Sequence, residues 1–277
     1  MSASWTQNGT LMADGKSLEY ACFGPAPSDA PTLILLHEGL GSVALWRDFP
    51  QALAQATGLG VFAYSRAGYG ASDVADLPRP LDYMTKEATH VLGKVLDAIG
   101  VESGVLVGHS DGASIAAIYG GSVPDYRVRA LVLMAPHFFT EPAGLAEIAK
   151  AKTAFESGDL RRALGKYHKD PDNTFRGWND TWLHPDFKDW NIADAIDHLR
   201  IPTLAIQGRQ DQYGTLAQIA EIEDRAYAPV ERLILDHCRH APHLDDSGAV
   251  IDAISTFCDR LFALEAAGSA PKTGALA

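Results

Sequence analysis

Gly108-His109-Ser110-Asp111-Gly112 is the stretch of this chain best suited to chemistry. A short apolar run, Val105-Leu106-Val107, leads into it, and Ala113-Ser114-Ile115-Ala116-Ala117-Ile118-Tyr119 leads out at helical composition. Gly-x-Ser-x-Gly between a strand and a helix predicts a turn so tight that the serine takes a strained backbone conformation. The glycines on either side remove Cβ atoms that would clash. A hydroxyl held up there, above a helix N-terminus whose partial positive charge favours a developing oxyanion, suits nucleophilic attack. The same five residues also fit an ordinary strand–turn–helix connection, so the rest of the chain has to supply a base and an acid.

Two later segments offer them. The apolar run Thr203-Leu204-Ala205-Ile206-Gln207 ends in Gly208-Arg209-Gln210-Asp211, which places Asp211 just past the carboxyl end of a strand. A second run, Glu231 to Leu235, leads into Asp236-His237-Cys238-Arg239-His240-Ala241-Pro242-His243. Both loops open on the sheet edge that carries Ser110, with Asp236 as an alternative acid. His237, His240 and His243 all compete for the base. Their spacing of three also suggests a metal cluster, but Pro242 argues against a regular helix presenting them together.

The elements that must hold these residues read as alternating strands and helices. Residues 9–23 predict a hairpin turning at Asp14-Gly15, and Thr32 to Leu36 and Gly60 to Tyr64 predict strands buried on both faces. Leu45 to Leu53 looks helical, and Asp82 to Ile99 predicts an amphipathic helix ended by Gly100. Val128 to Ala135 reads as the sixth strand. From Pro136 to Leu199 no strand-like run appears, only helical pieces near 143–157, 159–168, 172–183 and 190–199. Alternation then resumes through a helix over Gly214 to Arg225 and another over Ser247 to Leu264. The fold class is therefore α/β, a mostly parallel doubly wound sheet with an antiparallel N-terminal hairpin. Residues 1–135 and 200–265 form the core, and 136–199 form a helical cap inserted after the sixth strand. Residues 266–277, small and polar, read as a disordered tail. A lid is expected over the carboxyl edge, where open α/β sheets bind ligands, and its Trp178, Trp182 and Trp190, together with Glu38, are candidate pocket residues.

On these features the chain resembles the α/β-hydrolase superfamily with a cap, over about residues 15–265. The likeness rests on His37-Glu38-Gly39-Leu40-Gly41, Ser65-Arg66-Ala67-Gly68-Tyr69-Gly70-Ala71-Ser72-Asp73, the Gly-x-Ser-x-Gly elbow, Gly208-x-x-Asp211 and His240-Ala241-Pro242-His243-Leu244. It implies Ser110 as nucleophile, His240 as base and Asp211 as acid, with the backbone N–H of Asp111 in the oxyanion hole. The superfamily's second donor follows His-Gly, whereas this chain has His37-Glu38-Gly39. Gly39 donates if the loop aligns without a gap, and Leu40 if Glu38 is an insertion. The resemblance also implies that His243 packs beside the base, leaving His237 at the surface, and that His109 and His37 brace their loops. The side chain of Asp111 is expected to turn away from the oxyanion. Arg66 and Glu38 are expected either to pair beneath the pocket or to leave the arginine solvated. Haloalkane dehalogenases and epoxide hydrolases of this fold use aspartate where this chain has Ser110, so neither activity is implied.

Composition bounds the remaining possibilities. The 277 residues are 47% apolar and 21% charged, with net charge −12, which gives no electrostatic support to nucleic acid or anionic membrane as a partner. The N-terminus has no basic and apolar signal segment, and no apolar run approaches the roughly 18 residues of a membrane span. Cys22, Cys238 and Cys258 suggest no disulfide framework and fit a reducing cytoplasm. Lys150, Lys152, Arg161, Arg162, Lys166 and Lys169, against Glu147, Glu156 and Asp159, either form a solvated face or steer a carboxylate-bearing small molecule. The expected function is a cytoplasmic, cofactor-free and metal-free serine hydrolase of a small carboxylic ester. Its rivals are hydrolysis of a carbon–carbon bond in a ring-cleavage product and a non-catalytic receptor.

Overall fold

Strand residues 33–36, 61–64 and 105–107 are buried whether they point up or down, because both faces of the sheet are covered. Eight strands form it: β1 (Asn8–Ala13), β2 (Lys16–Phe23), β3 (Thr32–Leu36), β4 (Gly60–Tyr64), β5 (Gly104–His109), β6 (Val128–Met134), β7 (Thr203–Gly208) and β8 (Val230–Leu235). Their order is β1-β2-β4-β3-β5-β6-β7-β8. β2 pairs antiparallel with both β1 and β4, and every other pairing is parallel. The computed structural model describes Trp5 and residues 7–269.

Alternate side chains of each strand feed different layers, as the two-residue period of a strand requires. Leu33, Leu35, Val61, Ala63, Val105 and Val107 pack on one side against Trp46 and α1 (Phe49–Thr57), and against Val250, Ile254 and Phe257 of α11 (Ser247–Ser269). Ile34, Leu36, Phe62, Tyr64 and Leu106 face the other layer. There lie α2 (Tyr83–Lys86), running through a π-helical turn (Glu87–Leu92) into α3 (Gly93–Ile99), and α4 (Asp111–Ser122). Each fully buried Leu, Ile or Phe of these strands contributes about 1.5–3 kcal/mol.

Between β6 and β7 the chain departs into an insert of α5 (Pro142–Glu156), α6 (Asp159–Leu164), α7 (Pro171–Trp182) and α8 (Ala193–Ile196). Its last helix is shorter than the sequence suggests, because Pro202 and the return into β7 follow closely. α9 (Ala217–Arg225) begins three residues later than Gly214, since Asp211 and Thr215 hold the intervening turn. Leu45 to Leu53 divides into a 3₁₀ turn (Val43–Trp46) and the start of α1, with Pro50 in the first turn of that helix. α11 runs to Ser269, so residues 266–269 are helical rather than a disordered tail; the expectation for 270–277 lies outside the described residues. Ala266 and Ala267 carry the strongest helix propensity, which prolongs the element.

Strand order reverses between β3 and β5, and the loops after those two strands open a crevice at their carboxyl ends. Open α/β sheets bind ligands at such a reversal. Ser110 and the 37–41 loop both lie there. Among the described residues no helix is long and apolar enough to cross a membrane.

Candidate active site

The elbow is built under steric compulsion. Ser110 has φ 54° and ψ −118°, a strained conformation for a residue with a Cβ. A Cβ on Gly108 would stand 2.4 Å from the Gly112 carbonyl oxygen, and one on Gly112 would stand 2.0 Å from that of Leu36. Both obstacles are backbone and cannot swing aside. Gly112→Ala is therefore expected to destabilise the fold by at least the roughly 1–3 kcal/mol typical of overpacking. Thermal unfolding measures this, and an unchanged Tm would contradict the contact.

The turn places Ser110 Oγ 2.9 Å from His240 Nε2, and His240 Nδ1 lies 2.9 and 3.0 Å from the two carboxyl oxygens of Asp211. Asp211 also accepts from the Tyr213 N–H (2.8 Å), the Gly214 N–H (3.3 Å) and Gln207 Nε2 (2.7 Å). Burial pushes its carboxyl up, but the bonds from His240 and Tyr213 outweigh burial and hold it below the ordinary carboxylate range. The imidazole of His240 thus faces an ionised acceptor at one nitrogen and a hydroxyl at the other. Gln207 was not singled out by its sequence position. A polar side chain ending an otherwise apolar buried strand is the signal that marks it.

Opposite the elbow, the 37–41 loop has its carbonyls gripped from below. The fully buried Arg66 donates from Nη1 to the His37 carbonyl (2.5 Å) and from Nη2 to the Glu38 carbonyl (3.1 Å). It does not pair with the Glu38 carboxylate, contrary to the pairing suggested by charge. Nor is it solvated. His37 Nδ1 donates to the Glu38 carbonyl (2.7 Å) and its Nε2 accepts from the Arg66 N–H (3.1 Å). Among the described residues the loop N–H groups of Gly39 and Leu40 donate to no protein acceptor, and both residues, with Asp111 at the start of α4, border the same cavity as Ser110.

The Glu38 carboxylate turns instead toward His109, whose Nδ1 is 3.4 Å away. His109 Nε2 donates to the carbonyl of His240 (2.7 Å). A second proton, on Nδ1, would give this ring an ion pair with the carboxylate. Burial opposes this, but Glu38 prevails and raises the His109 pKa, while Glu38 itself is held far below the usual range despite burial. The Glu38–His109 contact thus links the 37–41 loop to the His240 loop. His243 packs against Trp46 and His109, with ring centroids 4.9 and 4.7 Å away, and His237 is exposed. No three His, Cys, Asp or Glu side chains converge as a metal site among the described residues.

Asp111 accepts a short hydrogen bond from the Tyr83 hydroxyl, which in turn accepts from Trp182 Nε1 (3.2 Å). Burial raises the Asp111 carboxyl, and Arg66 and Tyr83 only partly offset it. A carboxyl held toward its neutral form reduces the negative charge beside the site where an oxyanion would form.

The cavity above Ser110 measures about 120 Å³, and Glu38, Gly39, Leu40, Asp111, Trp178 and Trp182 are among the residues lining it with Ser110 and His240. Trp190 is not. It stacks on Phe187 (5.2 Å) behind Trp182 (5.7 Å) because it lies beyond the end of α7. The wall also holds Ile148, Tyr213 and His137, which sequence reasoning missed. His137 follows β6 and faces His240 with ring centroids 5.5 Å apart; burial pushes its pKa down to about 3, so it is neutral. Its position just past a strand's carboxyl end, like that of Asp211, was the available signal. No lysine or arginine lines the cavity. Lys150, Arg161 and Arg162 pair at the surface with Glu147, Asp172 and Asp159. Larger grooves of about 260 and 590 Å³ lie elsewhere, and neither includes a member of the Ser110–His240–Asp211 row.

Comparison with known proteins agrees with this architecture. Residues 31–177 match the family described as alpha/beta hydrolase fold. Epoxide hydrolase 3 of Siraitia grosvenorii is 30% identical over 151 residues, covering 53% of this chain and 44% of that protein. A putative carbamate hydrolase, RutD, of Azorhizobium caulinodans is 37% identical over 106 residues, covering 38% and 37%. The matched stretch thus spans less than half the length of either relative. Among solved structures, the esterase RhEst1 from Rhodococcus sp. ECU1013 superposes with TM-score 0.71 at 18% identity, covering 92% of this chain and all (100%) of that one. The enol-lactonase from Burkholderia xenovorans LB400 gives 0.70 at 16%, covering 91% and 100%. At such identities these two show the fold alone.

Proposed function

Because the chain belongs to the alpha/beta hydrolase fold family, we propose that it is a serine hydrolase that cleaves a small, uncharged carboxylic ester. The observation that carries this reading is the hydrogen-bonded row from Ser110 Oγ through His240 to Asp211 on a strained elbow. His240 Nε2 takes the Ser110 proton as Oγ attacks the acyl carbon, and Asp211 holds the proton on Nδ1. The N–H of Asp111, with that of Gly39 or Leu40, receives the carbonyl oxygen as it becomes an oxyanion. On collapse, His240 returns the proton to the departing alcohol. Water then attacks the acyl-enzyme by the same route, releasing the acid and freeing Ser110.

The 136–199 insert acts as a cap in this reading, since Ile148, Trp178 and Trp182 wall the cavity from its side. A volume of about 120 Å³ suits a short acyl group. Aromatic walls without lysine or arginine favour a neutral substrate over a carboxylate-bearing one, and disfavour a ring-cleavage dienoate with its charged ends. No cofactor enters the chemistry.

The test is labelling of folded protein with a fluorophosphonate, followed by a substrate panel of short acyl esters, a carbamate and ring-cleavage dienoates. Ser110 is expected to label and Ser110→Ala to stay unlabelled, with turnover on the neutral short esters. An unlabelled wild type would favour a receptor. Turnover confined to the dienoates would transfer the same residues to carbon–carbon cleavage.

A further inference from the structure

One side chain of the insert uses both ring nitrogens to hold the loops around Ser110. His168, in the connection between α6 and α7, is only 4% exposed. Its Nδ1 accepts from the Gly70 N–H at 2.9 Å, and its Nε2 lies 3.0 Å from the Leu40 carbonyl oxygen. A backbone N–H can only donate and a carbonyl can only accept, so the proton must sit on Nε2 and Nδ1 must be bare. Only the neutral ring can make both bonds.

What it grips matters. Arg66 holds the His37 and Glu38 carbonyls from within the core, but the Leu40 carbonyl is held by His168. That carbonyl belongs to one of the two residues that offer the second oxyanion N–H. Neighbouring bonds tie the same stretch of the insert to the glycine loop: the Lys169 N–H donates to the Gly70 carbonyl (2.8 Å), and Thr174 Oγ1 to that of Gly68 (2.5 Å).

We propose that His168 is a positioning residue for the oxyanion hole, setting the angle of the 38–41 loop by joining Leu40 to Gly70 through the insert. The inference rests on Ser110 being the nucleophile. His168 touches no reacting atom and acts through the loop it holds. The groups that face it are Glu38 and His37 from the 37–41 loop, Glu19 from β2, and the Tyr69 ring at 6.2 Å. Burial lowers its proton affinity, and the Leu40 carbonyl, Glu38 and Glu19 only partly restore it. With the folded pKa below the ordinary histidine value, the neutral ring and both bonds are present at neutral pH. They are lost as pH falls through the depressed value, when Nδ1–H would meet the Gly70 N–H.

Two variants, assayed beside the wild type over a range of pH, test this. His168→Phe removes both bonds and is expected to lower kcat about tenfold to a hundredfold, the cost of slightly misplacing a transition-state contact. KM should change little, and fluorophosphonate labelling of Ser110 should slow by a similar factor. His168→Gln can accept from Gly70 and donate to Leu40 but cannot be protonated. It is expected to restore turnover and the labelling rate to near the wild-type values. Wild-type kcat in His168→Phe overturns the proposal. So does a folded His168→Gln variant that loses kcat about a hundredfold or more although it can make both bonds, a result readable even if His168→Phe does not fold. A wild type that never labels would instead overturn the catalytic reading on which the proposal depends.

Discussion

Asp211→Asn is expected to lower kcat about 10⁴-fold while leaving the fold intact, the cost of holding the base in the wrong tautomer. The local hydrogen bonds dictate which way the new amide turns. One carboxyl oxygen receives the backbone N–H groups of Tyr213 and Gly214, so the asparagine oxygen will settle there. Its NH₂ then points at His240 Nδ1 and at Gln207 Nε2, which already donates to that side. Donor meets donor at Gln207. At His240 the nearer oxygen, 2.9 Å from Nδ1, becomes an NH₂. Only the amide oxygen at 3.0 Å, already shared with two N–H groups, still accepts; moving the ring proton to Nε2 relieves the conflict. An Nε2–H cannot accept the Ser110 proton, and catalysis stops at its first step. The measurement is kcat on the best short ester, with circular dichroism to show native folding. Asp236→Asn serves as the control, because Asp236 is exposed and pairs with Arg209 at 2.7 Å, away from His240. If Asp211→Asn costs less than tenfold, or Asp236→Asn costs as much, the orienting role is misassigned.

The parts legible in the sequence are those fixed by local rules. Gly108 and Gly112 announce a turn that tolerates no Cβ, and apolar runs such as Leu33 to Leu36 announce strands covered on both faces. Asp211 and His240 could be placed because each follows such a run, which puts it on a known sheet edge. The partners of charged groups were not legible in this way. Arg66 and Glu38 look like a pair by sign, yet a guanidinium's fork of donors can grip two loop carbonyls instead. Glu38 then takes His109, 71 positions away in the chain, and no local pattern encodes that encounter. Trp190 is a different kind of miss. Trp178 and Trp182 are four apart on α7 and so share one helix face, whereas Trp190 lies beyond its end; the spacing carried that distinction. His137 and His168 depend on the insert folding back over the sheet, which only the tertiary structure supplies.

The Glu38 departure in the 37–41 loop makes Gly39 the most sensitive position outside the triad. Gly39→Ala is expected to reduce kcat about 10²- to 10³-fold, the loss seen when an oxyanion donor is removed. A Cβ there would stand 2.2 Å from Trp178 Nε1 and 2.3 Å from Cδ1 of the same ring. The indole has little freedom to retreat. It is 7% exposed, and its ring meets Phe175 edge-on at 6.0 Å, while Phe175 is itself stacked on Phe155 at 3.9 Å. With the ring held in this way the 38–41 loop has to shift, carrying the Gly39 and Leu40 N–H groups off the oxyanion position. Unlike the Leu36 carbonyl behind Gly112, however, this obstacle is a side chain and can be removed. Trp178→Ala opens the space, and in the double variant Gly39→Ala should cost far less than it does alone. Contacting residues show such coupling, whereas independent ones add. A double-mutant cycle on kcat reads the difference directly. Strictly additive losses would mean that the alanine acts through the loop backbone alone and that Trp178 does not set its geometry.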